Sequence, residues 1–336
     1  MFQNKSILIT GGTGSFGKNF IDYLLSKKVR PNRIVIFSRD ELKQFEMKEK
    51  YPEKKFPMLR FFIGDVRDLE RLKRAIVDID VVVHAAALKQ VPTAEYNPFE
   101  VIKTNVIGAQ NIVEACLDSN SSVKKVIALS TDKAAAPINL YGASKLCSDK
   151  LILAANNIRG KKKIVFSIVR YGNVMSSRGS VIPKFISQND KNKIITITDV
   201  NMTRFNITMA DSIKMVEWSI NNSIGGEIVV PKIPSYKILD LARAISKNLK
   251  YKVIGIRSGE KIHEDLITVS ESNNTVDLGK YYIIISQDDI RLTNYYIKKK
   301  KGKKVSKNFF YNSGNNSKFL TVSEIKKLIK YNNINN

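Results

Sequence analysis

Residues Lys5 to Thr10 form a short apolar run that breaks into Gly11, Gly12, Thr13, Gly14, Ser15, Phe16 and Gly17, after which Asn19 to Leu25 carry apolar side chains at helical spacing. A strand, a glycine turn and a helix in that order constrain the fold more than any other stretch of the chain. Glycine lets the turn close tightly and lets the backbone approach a ligand, while the following helix directs its free N–H groups at a pyrophosphate. The glycines alone would be a weak signal; the strand before them and the helix after them give them meaning. The expected fold class is α/β, a doubly wound parallel sheet of the Rossmann type, with ligands at the carboxyl ends of its strands.

The rest of the first half keeps that rhythm. Arg33 to Phe37, Leu59 to Ile63, Asp80 to His84, Lys124 to Leu129 and Ile164 to Val169 read as further strands, and Glu95 to Leu117 as one long helix. Each strand end offers a dinucleotide contact. After the second come Ser38, Arg39 and Asp40, with Lys43 one helical turn on; an arginine at this position accommodates a ribose 2′-phosphate and favours NADP over NAD. At that second strand end Asp40 and Glu41 also suit a helix start. Asp65 and Val66 follow the third strand, where an acid can accept from an adenine amine, the competing helix N-cap suiting Asp68 better. Ala85, Ala86 and Ala87 follow the fourth and let the backbone lie close to a ligand. Asn105, inside the long helix, must find a partner: it braces the neighbouring loop or faces the cofactor.

After about residue 172 the strict alternation loosens, and Pro183, Pro231 and Pro234 punctuate shorter elements. Residues 1–172 are expected to form the NADP-binding domain. Residues 173–336 are expected to form mainly a smaller substrate-binding region, with some segments returning to the main domain. In the late part, Arg178, Arg204 and Arg257 are candidates for a diphosphate clamp, because planar guanidinium groups bind phosphate oxygens bidentately. Lys89, Asn173, Val181 and Glu260 complete the expected substrate contacts. A net charge of +25 raises the question of nucleic acid. The excess is spread along the chain and its densest cluster, Lys298 to Lys304, has no interleaved aromatics, so a solvated basic surface is expected and no nucleic-acid partner. The absence of a run of eighteen apolar residues argues against a membrane anchor. Two cysteines, Cys116 and Cys147, fit a reducing cytoplasm, and two histidines, His84 and His263, are too few for a metal centre.

The chemistry concentrates in Ser130, Thr131, Asp132 and Lys133, directly after the apolar run Val126 to Leu129, and in Tyr141 and Lys145. Tyr141 and Lys145 are four apart and share one helix face. An ammonium beside a phenol stabilises the phenolate and makes tyrosine usable as a base. Asp132 and Lys133 add a second acid/base pair on the preceding loop, with Thr131 beside them.

Thr10 to Gly17 together with Tyr141 and Lys145 resemble the extended short-chain dehydrogenase/reductase family. Leu129 to Lys145, Val169 to Pro183, Ser38 to Lys43, Met202 to Phe205 and Gly259 to Glu264 narrow the resemblance to the inverting UDP-N-acetylglucosamine 4,6-dehydratases. The Asp-Lys pair is the most specific element, since configuration-retaining sugar dehydratases typically carry Asp-Glu there. Ala136 and the lysine-rich 298–304 segment depart from the pattern but touch no proposed catalytic position. The resemblance implies an NADP-dependent, redox-neutral conversion of UDP-N-acetylglucosamine to UDP-2-acetamido-2,6-dideoxy-L-arabino-4-hexulose, leading toward pseudaminic acid on flagellin or surface glycans. It also implies a homo-oligomer, often a hexamer. On that template Tyr141, its pKa lowered by Lys145, takes the 4-hydroxyl proton as C4 is oxidised. A neutral Lys133 then removes the C5 proton, a protonated Asp132 protonates the departing 6-hydroxyl, and hydride returns to C6. A half-neutral Lys133 at neutral pH costs about 4–5 kcal/mol, which burial and the neighbouring Lys145 are expected to supply. A 4-epimerase or a retaining dehydratase is the alternative; an epimerase has no use for the second pair.

Overall fold

A computed structural model describes residues 2–28, 30–175, 181–191, 193–285 and 289–334. The chain begins with β1 (Ser6–Thr10), α1 (Ser15–Ser26), β2 (Arg33–Ser38), α2 (Glu41–Lys50), β3 (Leu59–Ile63), α3 (Leu69–Ala75) and β4 (Val81–His84). It continues through α4 (Val91–Tyr96), α5 (Pro98–Ile102) and α6 (Gly108–Leu117) to β5 (Lys125–Thr131), α7 (Leu140–Ile158) and β6 (Val165–Tyr171). Then follow β7 (Asn173–Val174), α8 (Val181–Asp190), β8 (Ile195–Ile197), β9 (Thr203–Ile207), α9 (Met209–Asn222), β10 (Glu227–Pro231) and β11 (Ser235–Lys237). The last elements used below are α10 (Ile238–Ile245), β12 (Tyr251–Val253), β13 (Asp265–Ile267), β14 (Thr275–Asp277), β15 (Tyr281–Ile285) and β16 (Lys303–Lys304).

The main sheet runs β16-β14-β15-β10-β6-β5-β4-β1-β2-β3. From β3 across to β10 neighbouring strands are parallel, and β15, β14 and β16 extend the sheet antiparallel. Parallel strands covered on both faces need continuous apolar runs. That is why Ile7, Leu8 and Ile9, like Ile34, Val35 and Ile36, are all wholly inaccessible. The strand order reverses between β1 and β4, so the connections leave in opposite directions and a crevice opens at their carboxyl ends. Thr10 and His84, paired across that point, sit at the mouth.

The single helix expected from Glu95 to Leu117 is instead broken. Pro98 lacks an N–H and pushes the preceding residue out of helical geometry, and Asn97 has φ −121° and ψ 61°. A π-helical turn, Lys103–Ile107, then joins α5 to α6 and buries Thr104 and Asn105. Such turns insert an extra residue and redirect side chains. Here it aims Asn105 inward.

Two main apolar clusters divide the interior, with a small third one of Ala94, Val101 and Tyr141. The larger one covers the sheet and recruits late residues such as Phe205, Ile213, Val229, Leu266, Ile283 and Tyr311. The smaller is built from α8, β8, α10 and the final helix, with Phe185, Ile195, Leu241 and Ile325 at its centre. Among the described residues no helix is long and apolar enough to cross a membrane.

Candidate active site

A cleft of about 1330 Å³ runs from the glycine turn to the smaller cluster. Single-ligand pockets span roughly 300–1,000 Å³, so this one has room for two ligands end to end. Its floor is the carboxyl edge of the sheet, and Phe185, Ile197, Met202 and Ile238 of the smaller cluster line it as well.

One arm is the glycine turn. Gly11, Thr13, Gly14, Ser15, Phe16 and Gly17 all line the cleft. Gly11 has φ +66°, and a Cβ there would lie 3.0 Å from the Ala86 backbone. A Cβ on Gly17 would lie 2.4 Å from the Gly12 carbonyl oxygen, because α1 leaves the turn in direct backbone contact. No side chain caps the N-terminus of α1 at Gly14, so its first amides remain available to an anion. These features fit a dinucleotide pyrophosphate. Gly17→Ala forces the helix off the turn; a loss of about 1–3 kcal/mol of stability and of dinucleotide affinity is expected, read by thermal melting with and without the dinucleotide.

The other expected dinucleotide contacts divide. Lys43, Ala85 and Ala87 line the cleft. Ala86 packs its backbone on Gly11, and its N–H, like that of Ala85, donates to Thr10 Oγ1 at 3.2 and 3.1 Å. Ser38 is buried, its Oγ accepting from Gln44 at 3.1 Å. Asp40 caps α2 by accepting from Lys43 N–H at 2.9 Å and pairs with the Lys43 ammonium. Arg39, half exposed, lies 3.5 Å from Asp65, which also holds Arg67 at 2.7 Å. Val66 is buried. Asn105 settles on the bracing alternative: its side chain accepts from Leu88 N–H at 2.8 Å and donates to Leu88 O at 2.9 Å and Ser144 Oγ at 3.0 Å.

The second arm carries the titratable groups. β5 ends at Thr131, and Asp132–Ala134 form a 3₁₀ turn capped by Thr131. Asn139 caps α7: its side chain accepts from Gly142 N–H at 2.8 Å and donates to Gly259 O at 2.8 Å. Gly142 is where the helix meets the turn: a Cβ there would lie 2.2 Å from Lys133 O. Tyr141, Lys145, Thr131, Asp132 and Lys133 therefore face one cleft.

Lys133 Nζ lies 3.2 Å from Asp132 Oδ1 and 3.0 Å from Glu264 Oε1. The expectation that burial and Lys145 would drive Lys133 toward the neutral amine is reversed. Burial does disfavour its charge, but Asp132 and then Glu264 outweigh it and hold the ammonium above the ordinary lysine range. Asp132 behaves as expected: burial raises its carboxyl pKa against the pull of Lys133. Its Oδ2 is buried without a hydrogen-bond partner among the described residues, roofed by Gly172, where a Cβ would come within 3.2 Å of it. Tyr141 also departs from expectation. Burial pushes its phenol up to about 12, offset in part by Lys133 and a hydrogen bond with Thr131. Lys145 is lowered by burial, with Asp149 opposing.

Asp149 and Glu264 carry no assigned role in the sequence reading. Asp149 continues the Tyr141–Lys145 face by one more turn, accepts from Ser130 Oγ at 2.6 Å and lies 3.8 Å from Arg170 Nη2. That spacing is visible in sequence. Glu264 arrives from a distant segment, and only its place at the end of Gly259 to Glu264 marks it. His84 is a packed strand end: Thr10 Oγ1 contacts its Nδ1 at 2.8 Å, and burial, with Lys145, pushes the imidazole down to about 3.

Of the expected substrate contacts, Lys89, Asn173, Val181, Arg204, Arg257 and Glu260 line the cleft. Arg178 lies outside the described residues. Arg204 is already engaged: Nη1 donates to Thr203 O and Ile262 O at 2.7 and 3.0 Å, and Nε lies 3.8 Å from Glu264. Arg257 is exposed and 3.8 Å from Glu260. Lys184, which the sequence reading passed over, lines the cleft nearby. Among the described residues no cluster of side chains could hold a metal ion.

A cleft with an anion-binding glycine turn at one end and a tyrosine-lysine pair at the other defines a nucleotide-dependent enzyme of the short-chain dehydrogenase type. The polysaccharide biosynthesis protein family matches residues 7–286. The chain is 51% identical to the UDP-N-acetylglucosamine 4,6-dehydratase (inverting) of Campylobacter jejuni subsp. jejuni, over 98% of this chain and 99% of that protein. It is 43% identical to a UDP-glucose 4-epimerase of Rickettsia felis, over 98% and 96%. The solved structure of Pen from Bacillus thuringiensis is 36% identical with a TM-score of 0.89, over 99% of each chain. The chain belongs to the polysaccharide biosynthesis protein family and has the fold of the extended short-chain dehydrogenase/reductases.

Proposed function

We propose that this protein converts UDP-N-acetylglucosamine to UDP-2-acetamido-2,6-dideoxy-L-arabino-4-hexulose by NADP-dependent 4,6-dehydration with inversion at C5. The product would feed pseudaminic acid synthesis for flagellin or surface glycans, from a cytoplasmic homo-oligomer. The enzyme class, an inverting UDP-N-acetylglucosamine 4,6-dehydratase, follows from the 51% identity. The observation that carries the reaction is the Asp132–Lys133 pair, 3.2 Å apart, in the same cleft as Tyr141. Oxidation at C4 needs only Tyr141 and Lys145. A second, buried acid/base pair has a use only if bonds at C5 and C6 also change.

In this reading residues 1–172, with the returning segments, bind the dinucleotide, and the smaller cluster with its loops covers the sugar. The glycine turn holds the pyrophosphate, and Arg39 with Lys43 meets the 2′-phosphate. When bound, the nicotinamide supplies an acceptor for the hydrogen and electron pair of C4 and returns them at C6. The chain's own residues handle the protons. Tyr141, hydrogen-bonded to Thr131, accepts the 4-hydroxyl proton as the phenolate, after its own phenolic proton has left to solvent against the rise that burial imposes. Lys133 gives a proton to Asp132, a transfer that the raised Asp132 pKa favours and the raised Lys133 pKa opposes. That single transfer produces both a neutral amine and a carboxylic acid. The amine removes the C5 proton, now acidified by the 4-ketone, and the acid protonates the 6-oxygen, which leaves as water. C5 regains a proton on its opposite face from water in the cleft, which replaces the proton Tyr141 gave up to solvent. Arg257 and Lys184 stand for the diphosphate, since Arg204 is held by internal partners.

Incubation with UDP-N-acetylglucosamine and NADP followed by mass spectrometry tests this: a product lighter by one water is expected, and an isobaric product would favour the epimerase reading that the Rickettsia relative's name suggests. Arg39→Ala should weaken NADP binding by roughly 10–100-fold, the worth of one charge-assisted hydrogen bond, and leave NAD binding nearly unchanged by calorimetry.

A further inference from the structure

Glu264 lies just before β13 and reaches Lys133, which lines the cleft. Its backbone is tied on both sides to one residue: its N–H meets Ser313 Oγ at 2.9 Å, and its carbonyl accepts from Ser313 N–H at 2.8 Å. Only 3% of the residue is exposed. The carboxylate oxygen Oε1 is 3.0 Å from Lys133 Nζ and 3.8 Å from Arg204 Nε. Lys133 thus stands between two buried carboxylates at nearly equal distance, one on its own turn and one from a remote segment.

The two carboxylates have different surroundings. Glu264 faces Lys133 on the turn, Arg204 on β9 and Lys261 on its own segment, three cations in all. Asp132 faces one cation, Lys133, with Glu264 as a nearby anion, and its Oδ2 has no partner among the described residues. Tyr141 on α7 and Tyr236 on β11 complete the titratable groups around the pair. Lys261 is itself held by Asp265 at 2.9 Å and by Ala135 O at 3.0 Å.

We propose that Glu264 is a positioning residue for the dehydration: it anchors the Lys133 ammonium as a second carboxylate beside Asp132, stays ionised itself, and so leaves Asp132 as the carboxyl that exchanges a proton with Lys133. The step is a single proton transfer, from Lys133 Nζ to Asp132, with no net change of charge in the cleft. A proton moved to Glu264 instead would leave Asp132 an anion, unable to protonate the 6-oxygen. The directions of the two carboxyl pKa values agree, with Glu264 held low by Lys133 and Arg204 against its burial, and Asp132 raised by burial. This inference rests on the proposed dehydration, and its test separates the two.

Lys133 Nζ is followed by NMR of lysine-labelled enzyme, its signal assigned by loss in Lys133→Met, in parallel with the pH dependence of kcat. In Glu264→Gln, which keeps shape and removes charge, the Lys133 titration should fall by about 1–3 pH units, the effect of one opposite charge at this distance. The acid limb of the kcat profile should move down with it, while KM stays within a factor of about 3. Glu264→Asp restores the charge and should titrate like the parent. An unmoved Lys133 signal in a folded Glu264→Gln variant overturns the proposal. So does a uniform loss of kcat with an unmoved limb, the signature of a merely structural residue. If the parent enzyme releases no dehydrated sugar while the Lys133 signal still moves, the dehydratase reading fails and with it the catalytic role of Glu264, whereas the charge linkage stands.

Discussion

Lys133→Met is expected to lower the rate of dehydration by roughly 10²–10⁴-fold, the usual contribution of a positioned acid/base group, while dinucleotide binding survives. Methionine keeps an unbranched stem of similar length and removes only the ammonium. The glycine turn and its helix lie at the other end of the cleft and lose nothing. Under the proposed mechanism the variant loses the base for C5 and, because Lys133 would charge Asp132 with its proton, the acid for C6 as well. One substitution thus removes both halves of the elimination. The variant also leaves Asp132 and Glu264 facing each other with no cation between them, both nearly inaccessible. Each carboxylate then ionises less readily, and the destabilisation this causes grows as pH rises. Calorimetry with NADP and NMR of the C5 hydrogen check the prediction together: binding retained, C5 exchange lost. If the variant exchanges C5 at the parent rate, Lys133 is not the base.

Arg170→Met should cost about 3–5 kcal/mol of stability, the effect of breaking a buried ion pair from one side. Arg170 is among the largest fully buried side chains. Its guanidinium donates to Glu271 Oε1 at 2.8 Å and to Leu266 O at 3.3 Å, and lies 3.8 Å from Asp149. Asp149 is itself raised by burial, with Lys145 and Arg170 pulling the other way. Removing Arg170 raises it further. A carboxyl whose folded pKa exceeds its unfolded value destabilises the fold once pH rises through the folded value and is neutral below the unfolded one. The deficit is therefore expected to be smaller at about pH 5 than at about pH 8. Thermal melts at the two values measure it, and a deficit under about 1 kcal/mol at both would mean the network contributes little.

The parts of this architecture that were legible in sequence are the local ones. The glycine turn could be read because strand, turn and helix are consecutive, and β3 has the bounds expected of the strand Leu59 to Ile63. Tyr141 and Lys145 could be placed on one face because four residues make about one helical turn. The helix expected from Glu95 to Leu117 failed at Pro98, a breaker visible in the sequence, and at a π turn, which has no compositional mark. Glu264 was out of reach for another reason. Its pairing with Lys133 depends on the fold bringing two distant segments together, and local spacing carries no such information. That one contact also changes the electrostatics: Glu264 adds to Asp132 in opposing burial, and together they keep Lys133 charged. The protonation of Tyr141 was misread in the same way, because the sequence shows the nearby cation and hides the burial.

The most direct test of the account is an NMR time course of the enzyme with UDP-N-acetylglucosamine in D₂O. The account predicts loss of the 6-hydroxyl, a ketone at C4, one deuteron at C5 and coupling constants of the L-arabino configuration, with the C4 hydrogen recovered at C6. A 6-deoxy sugar with C5 unchanged, or a C4 epimer that keeps its 6-hydroxyl and its C5 hydrogen, would contradict it.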